Sequence, residues 1–443
     1  MNRAQVLGLC ASLLALGGPL LLSCDPPIPA DGNPDLAMSQ PPRHLDSALP
    51  WWGDNRKRLD AFMDQFGKAS PSYNASKKPV ALFDWDNTVI KNDVGDMTLF
   101  WMLKSNKILQ PPSKAWRLTN FIMTADALAA LTACDALANP GEALPTGKPD
   151  GLACADAILS VYLDNKGKTG LPAFSGYDYR RMEPTYAWAV QLQAGYSPAE
   201  IALMAKDAIA EALLAPIGAK QTIGSRQVNA YLRVYDQMKD LIGALSDNGF
   251  DVWVVSATSE PVVRAFSDQV RLPTDHVIGV RMVLDGNGKQ TYNLQGCGDV
   301  PDGKNEGIRQ DGNTMMTYID GKRCWVNKVI YGDSSAQAIN QRPEDKRQVF
   351  SAGDSDTDVA FVRDATQLKL TLNRNKPELM CNAYANYLNR YLVNPMFIDP
   401  KPQQVVLYPC STSACIGFDG KSGPCFDEAQ GAISDQKDSV YPM

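Results

Sequence analysis

The chain has 443 residues, 44% hydrophobic and 21% charged, a balance that excludes a disordered or collagen-like protein and, at about 150 residues per domain, leaves room for two or three domains. Its 43 basic and 49 acidic residues are mixed along the chain and sum to −6, with no basic stripe, so nucleic acid is not an expected partner. Only two histidines are present, His44 and His276, which argues against a His-rich zinc site, a histidine phosphatase and a Ser-His-Asp hydrolase, and leaves acid–base chemistry to carboxylates.

Residues 1–23 read as a signal peptide, in which one early arginine, Arg3, precedes an apolar stretch. The stretch ends in Leu21-Leu22-Ser23-Cys24, which resembles a bacterial lipobox, whose cysteine is lipidated and becomes the new N-terminus. An ordinary cleaved signal and a short uncleaved anchor are the alternatives. No later segment approaches the roughly 20 apolar residues of a transmembrane helix. The expected location is the cell envelope, lipid-anchored to a bacterial membrane on its periplasmic or extracellular face.

With Cys10 removed and Cys24 assigned to lipid, eight cysteines remain, an even number that in an exported protein suggests up to four disulfides. Cys134–Cys154 and Cys297–Cys324 are the local pairs. A four-cysteine zinc site in the tail is the alternative, weakened by the missing CxxC spacing. Residues 24–50 hold seven prolines and read as a semi-rigid tether in which His44 is solvated and has no role.

The body begins near Trp51. Leu59, Phe62, Met63 and Phe66 recur at helical spacing and predict a helix over 55–67. Pro79–Asp84 is an apolar run ending in acid, the pattern of a buried parallel strand. Residues 97–250 are Ala-, Leu- and Met-rich and mostly helical, without a strong strand pattern. A strand at 251–257 and a helix over about 260–270 follow. Two runs, 276–284 and 289–294, flank Asp285-Gly-Asn-Gly288, a hairpin turn signal. The turn faintly resembles a calcium loop, but Gly296 stands where that loop needs Glu. Met315–Ile319 predicts a strand, Lys322–Tyr331 a helix, 348–353 a strand with a helix from Thr357, 368–372 a strand and 376–391 a helix. The remaining 395–443 shows little periodicity.

Strands alternating with helices predict an α/β fold with a Rossmann-like parallel sheet. The block between the first two strands is too long for a crossover and reads as an inserted helical domain. The expected division is a core of 51–96 and 251–394, a cap of 97–250 and a C-terminal extension of 395–443.

Polar residues gather at three strand ends. Asp84 and Asp86 in Phe-Asp-Trp-Asp-Asn-Thr88 are two apart, so an extended backbone points both the same way. Two carboxylates held together split roles, one ionised and one carrying a proton. Ser256 closes the second strand, with Ala257 after it, where a hydroxyl and free amides suit an anionic oxygen. Gly353-Asp354-Ser-Asp-Thr-Asp358 packs acids onto a turn, and with Asp84 they call for a cation, which oxygen ligands and high charge make Mg2+. Taken singly, each could instead cap a turn or a helix.

Together, Asp84-Trp-Asp86-Asn-Thr88, Val-Val-Ser256, a lysine and Gly-Asp354-Ser-Asp-Thr-Asp358 resemble the haloacid dehalogenase superfamily, over roughly residues 80–358. The resemblance implies that Asp84 is a nucleophile forming an aspartyl-phosphate and that Asp86 is the general acid and base. It implies a Mg2+ held by Asp84, the carbonyl of Asp86 and Asp354, supported by Asp358, and a phosphoryl group held by Ser256, Thr88, Ala257 and a lysine. Lys322 is the expected lysine, with Lys328, two turns on, as its competitor. Dehalogenases of the superfamily lack the second acid, so Asp86 points to phosphoester hydrolysis.

The helical insert lies where this branch carries a cap, which implies a small substrate. Phosphoserine and phosphorylcholine phosphatases carry an acid at the place of Asp93, so Asp93 either faces a cationic substrate group or N-caps the helix near Val94. Tyr177, Tyr179, Tyr186 and Trp188 form a cation–π cage or pack as core, and Arg180 and Arg181 meet a substrate carboxylate or lie on a solvated face. The expected function is Mg2+-dependent hydrolysis of a small phosphomonoester, phosphorylcholine or a phospho-amino acid among them. A phosphotransferase and an organophosphate-binding envelope lipoprotein without turnover are the alternatives. Nothing in the sequence sets an oligomeric state.

Overall fold

The computed structural model describes residues 41–298 and 314–442. The segment 1–23 expected as a signal peptide, Cys24 and the expected tether up to residue 40 lie outside the described residues.

In chain order the first elements are α1 (Asn55–Phe66), β1 (Val80–Phe83), β2 (Ile90–Lys91) and α2 (Val94–Lys104). The insert continues through α3 (Ala125–Leu131), α4 (Leu152–Asp164), α5 (Pro184–Gln191), α6 (Pro198–Leu214), β3 (Lys220–Ile223), β4 (Arg226–Asn229), β5 (Arg233–Val234) and α7 (Asp236–Asp247). Then come β6 (Asp251–Ser259), α8 (Glu260–Arg264), β7 (Val277–Val280), β8 (Met282–Leu284), β9 (Gln290–Leu294) and α9 (Asp320–Val329). The last elements are β10 (Phe350–Gly353), α10 (Val359–Asp364), β11 (Leu368–Asn373), α11 (Pro377–Ala385), β12 (Tyr391–Pro395), β13 (Cys415–Ile416) and β14 (Ser422–Gly423).

Six strands form one parallel sheet in the order β12-β11-β10-β1-β6-β7. The fold is therefore α/β and Rossmann-like. Residues of β1 alternate between the faces, as a period of two requires. Ala81 and Phe83 join Phe62, Phe250 and Phe350 on one side. Val80 and Leu82 join Trp325 and Phe361 on the other. The chain runs outward from β1 to β6 and β7 and then returns to place β10 on the other side of β1. This reversal opens a crevice at the carboxyl ends of β1, β6 and β10, where such sheets bind ligands.

The 97–250 segment is mostly helical, as expected, but it also holds short strands. Lys220–Asn229 folds as a β3–β4 hairpin and β5 pairs with β2. Its last helix, α7, packs on β6. Helices α5 and α6 start with proline at their first position, capped by Glu183 and Ser197, where proline's missing N–H is harmless.

Other expectations shift at element ends. Met315–Ile319 forms no strand. Its apolar side chains are buried, but its backbone bonds run to separate segments, Met316 N–H to Arg181 and Ile319 N–H to Thr357. The helix expected over 376–391 stops at Ala385, because Asn386, Leu388 and Asn389 take positive φ, and Tyr391 starts an edge strand. The core boundary expected at 394 thus cuts through β12. Residues 276–284 divide between two sheets, Val277–Val280 in the parallel sheet and Met282–Leu284 in the expected hairpin. The helix expected over 260–270 is α8 followed by a 3-10 turn at Ser267–Val270.

Residues 41–50, expected as free tether, lie against the body. Leu45 is buried, Arg43 pairs with Asp240 and Asp247 at 2.6 Å each, and His44 bonds Asp64 at 2.8 Å. All eight cysteines are paired, Cys134–Cys154 and Cys297–Cys324 as expected, with Cys381–Cys410 and Cys415–Cys425 in place of a tail zinc site. Among the described residues no helix is long and apolar enough to cross a membrane.

Candidate active site

The loop after β1 is built so that Asp84 and Asp86 share a side. Asp84 N–H continues the ladder to Ala352 at 2.9 Å, while the Trp85 ring between them turns inward against Phe266. Lys322, on the first turn of α9, donates to Asp84 Oδ1 and to Asp358 Oδ1 at 2.6 Å each, and all three groups are buried. Burial opposes the lysine's charge, but Asp358 and Asp84 outweigh it and hold its pKa above the ordinary value. Lys328 lies elsewhere, its ammonium 4.8 Å from the Trp325 ring centroid.

The acidic turn after β10 is ordered by its own last residue. Asp358 Oδ2 accepts the amides of Asp354 and Ser355 at 3.0 Å each. Carboxylate oxygens of Asp84, Asp354 and Asp358 all lie within 4.8 Å of one another. Asp84 is held well above the usual carboxylate range, first by burial and then by repulsion from Asp358, against the pull of Lys322. These three side chains offer the oxygen set that a hard divalent cation takes.

Asp86 stands apart from that cluster. Its Oδ1 accepts the Val94 amide at 2.7 Å, and its Oδ2 accepts the hydroxyls of Thr258 at 2.9 Å and Ser256 at 3.3 Å. Burial, then Asp93, push it well above the carboxylate range against these donors. Burial raises both acids, and what separates them is their partners: Asp84 faces the Lys322 ammonium, while Asp86 faces a backbone amide and neutral hydroxyls.

A cavity of about 410 Å³ opens over these groups. Its floor includes Asp84, Asp86, Ala257 and Lys322, and its walls include Asp93, Asp96, Glu183, Tyr162, Tyr186, Tyr318 and Arg374. Asp93 N-caps α2 through the Asp96 amide at 2.9 Å, the second of the two roles expected for it, and it also lines the cavity.

Several expected groups do not line the cavity. Thr88 is fully buried and donates to Asp354 at 2.9 Å, so it braces an acid instead of holding phosphate. Ser256 is almost fully buried, spent on Asp86 and on the Thr258 amide at 3.0 Å. Of the four aromatics in the proposed cage only Tyr186 reaches the cavity. Trp188 is core, donating to Thr119, and Tyr179 packs edge-on against Tyr318. Arg180 is taken by Asp320 and Glu378, and Arg181 by Asp178.

Several contributors escaped the sequence reading, Asp96, Glu183 and Tyr162 on the walls among them. Arg374 follows β11 and pairs with Asp354 Oδ2 at 2.8 Å, so the strand-end rule applied to a fourth strand finds it. Thr258 lies two residues beyond Ser256 on an extended strand and so faces the same way. Tyr318 carried no signal, because its placement comes from a loop.

A conserved protein of unknown function from Anaerococcus prevotii DSM 20548 shares this fold, at 22% identity and a TM-score of 0.57 over 78% of this chain and 93% of that one. A protein of unknown function from Bordetella pertussis Tohama I matches at 14% identity over 72% of this chain and 100% of its own, with a TM-score of 0.40. A phosphoserine phosphatase solved as a phospho-aspartyl intermediate analogue matches at 14% over 67% and 87%, with a TM-score of 0.30. No family model and no curated protein matches the sequence.

Proposed function

We propose that this chain is a Mg2+-dependent phosphomonoester hydrolase of the haloacid dehalogenase superfamily. The observation that carries the reading is the 2.6 Å pairing of Asp84 with Lys322, beside a second acid of raised pKa at the carboxyl end of β1. In this reading Asp84 attacks phosphorus, the bond from phosphorus to the leaving oxygen breaks, and the Asp86 proton passes to that oxygen. Asp86, now ionised, takes a proton from the water that attacks the aspartyl-phosphate, which frees inorganic phosphate and restores Asp84. Lys322 offsets the charge that develops between Asp84 and the phosphoryl oxygens.

The donor set supports the metal. Asp84, Asp354 and the main-chain carbonyl of Asp86 would hold the ion with Asp358 beside them, and when bound it would neutralise the phosphoryl oxygens. Three carboxylates there carry more charge than Lys322 and Arg374 return.

The cavity volume suits a small substrate. Asp93, Asp96 and Glu183 with three tyrosines on its walls favour a cationic leaving group, as in phosphorylcholine or a phospho-amino acid. The reading includes a lipid anchor at Cys24, which metabolic labelling with a radioactive fatty acid would test.

The deciding experiment follows p-nitrophenyl phosphate hydrolysis by the mature protein. Activity should vanish with EDTA, return with Mg2+, and fall to background in Asp84→Asn. An Asp84→Asn variant with ordinary activity would overturn the assignment of the nucleophile, and a folded wild type without turnover would favour binding alone.

A further inference from the structure

The C-terminal extension is tied to the site through one side chain. Arg180, in the insert, donates through Nε to Asp320 at 3.0 Å and through Nη1 to Glu378 at 3.0 Å and to the Ile416 carbonyl at 2.9 Å. Asp320 is the first residue of α9, the helix that carries Lys322 two positions later. Glu378 belongs to α11, and Ile416 to the C-terminal β13. The guanidinium therefore joins the insert, the two helices and the tail.

The backbone follows the same route. Asp320 N–H bonds the Arg180 carbonyl at 3.0 Å, Met316 N–H the Arg181 carbonyl at 3.1 Å, and Tyr179 N–H the Phe418 carbonyl at 3.0 Å. Between these ties Ile319 sits at φ 43° and ψ −105°, where a β-branched residue is strained and persists only if its surroundings hold it. Tyr318, the residue before, enters the cavity and receives the edges of Tyr179 and Tyr186. The tail itself is braced, Cys381–Cys410 fastening it to α11 and Cys415–Cys425 closing the loop that presents Ile416.

We propose that Arg180 is a positioning residue of the active site and that the disulfide-braced tail is its anchor. Together they hold residues 316–320 in the strained turn that aims Lys322 at Asp84 and Tyr318 into the cavity. The proposal rests on the phosphohydrolase reading for its kinetic consequence, but not for its structural one.

The test compares Arg180→Ala, the milder Arg180→Lys and the double variant Cys415→Ser/Cys425→Ser in the full mature chain. Two measurements are made: kcat and KM for p-nitrophenyl phosphate with Mg2+, and hydrogen exchange of the amides of 314–322. Arg180→Ala should lower kcat about tenfold or more with KM near wild type, in part rescued by added guanidinium ion, and should speed exchange across 316–322. Arg180→Lys should lose part of kcat, since an ammonium cannot span three acceptors as the planar fork does. The cysteine variant should change both readouts in the same direction by less. A wild-type kcat with only a lowered melting temperature would overturn the proposal, because Arg180 would then be a prop for the body alone. If the wild type releases no phosphate, the phosphohydrolase reading fails and exchange decides alone: unchanged protection of 314–322 in Arg180→Ala sinks the positioning role, and faster exchange upholds it.

Discussion

At the scale of single residues, the site turns on how Asp86 is kept above its ordinary pKa. Burial and Asp93 raise it, while the Val94 amide and the Thr258 hydroxyl pull it back. Thr258→Val removes one donor to the charged form. The limb of the kcat/KM profile that reports Asp86 should move to higher pH by about one unit, the size of one hydrogen bond to a charged group. A profile superposable on wild type would remove Thr258 from the account. Asp96 is a second case, pushed up to about 7 by burial first and Asp93 next, against the Tyr162 hydroxyl at 2.5 Å. At low pH both folded and unfolded chains hold this proton. As pH rises past about 4 the unfolded chain releases it first, so stability falls until about 7 and the loss is complete above that. Asp96→Asn keeps an acceptor for Tyr162, so it should be more stable than wild type near pH 8, with the difference vanishing toward pH 4. Urea unfolding at both pH values checks the sign.

At the scale of elements, the strands that carry the acids were legible and their neighbours less so. β1, β10 and β11 are buried at every position; β1 reads as a continuous apolar run, while β11, Leu-Lys-Leu-Thr-Leu-Asn, alternates apolar and polar residues. β12 and the loop at 314–319 have similar apolar density, and only their partners decide that one pairs and the other does not. The end of β10 shows how tightly an element can constrain the site. A Cβ on Gly353 would stand 2.6 Å from Asp358 Cβ, so Gly353→Ala must displace the carboxylate that meets Lys322. Activity should drop by about 10²-fold while the far-ultraviolet circular dichroism stays that of the wild type. Full activity in that variant would mean that Asp358 tolerates displacement.

At the scale of the whole molecule, four disulfides mark a chain that matures in an oxidising compartment, as the count of eight cysteines implied. Thiol titration of the denatured, unreduced mature protein should find none of these eight free. Cys381–Cys410 spans 29 residues and ties the tail to α11, so Cys381→Ser/Cys410→Ser should lose about 2–4 kcal/mol in urea unfolding. A loss near zero would mean that the tail is held without it. The tail also reaches β11 through a partly buried ion pair, Glu428 with the buried Lys369, whose burial lowers the lysine to about 8 despite its partner.

The sequence by itself determined the fold class, the acids and their order, because chemistry that needs two carboxylates two residues apart on an extended strand leaves a local signature. The hydrophobic pattern likewise marked five of the six parallel strands, all but β12. Which lysine meets Asp84, that Thr88 braces an acid, that Arg374 pairs with Asp354 and that Tyr318 lines the cavity were decided only by the tertiary structure. Those contacts join residues far apart along the chain, Lys322 to Asp84 among them, and no local pattern encodes a meeting that depends on how sheet, insert and tail pack.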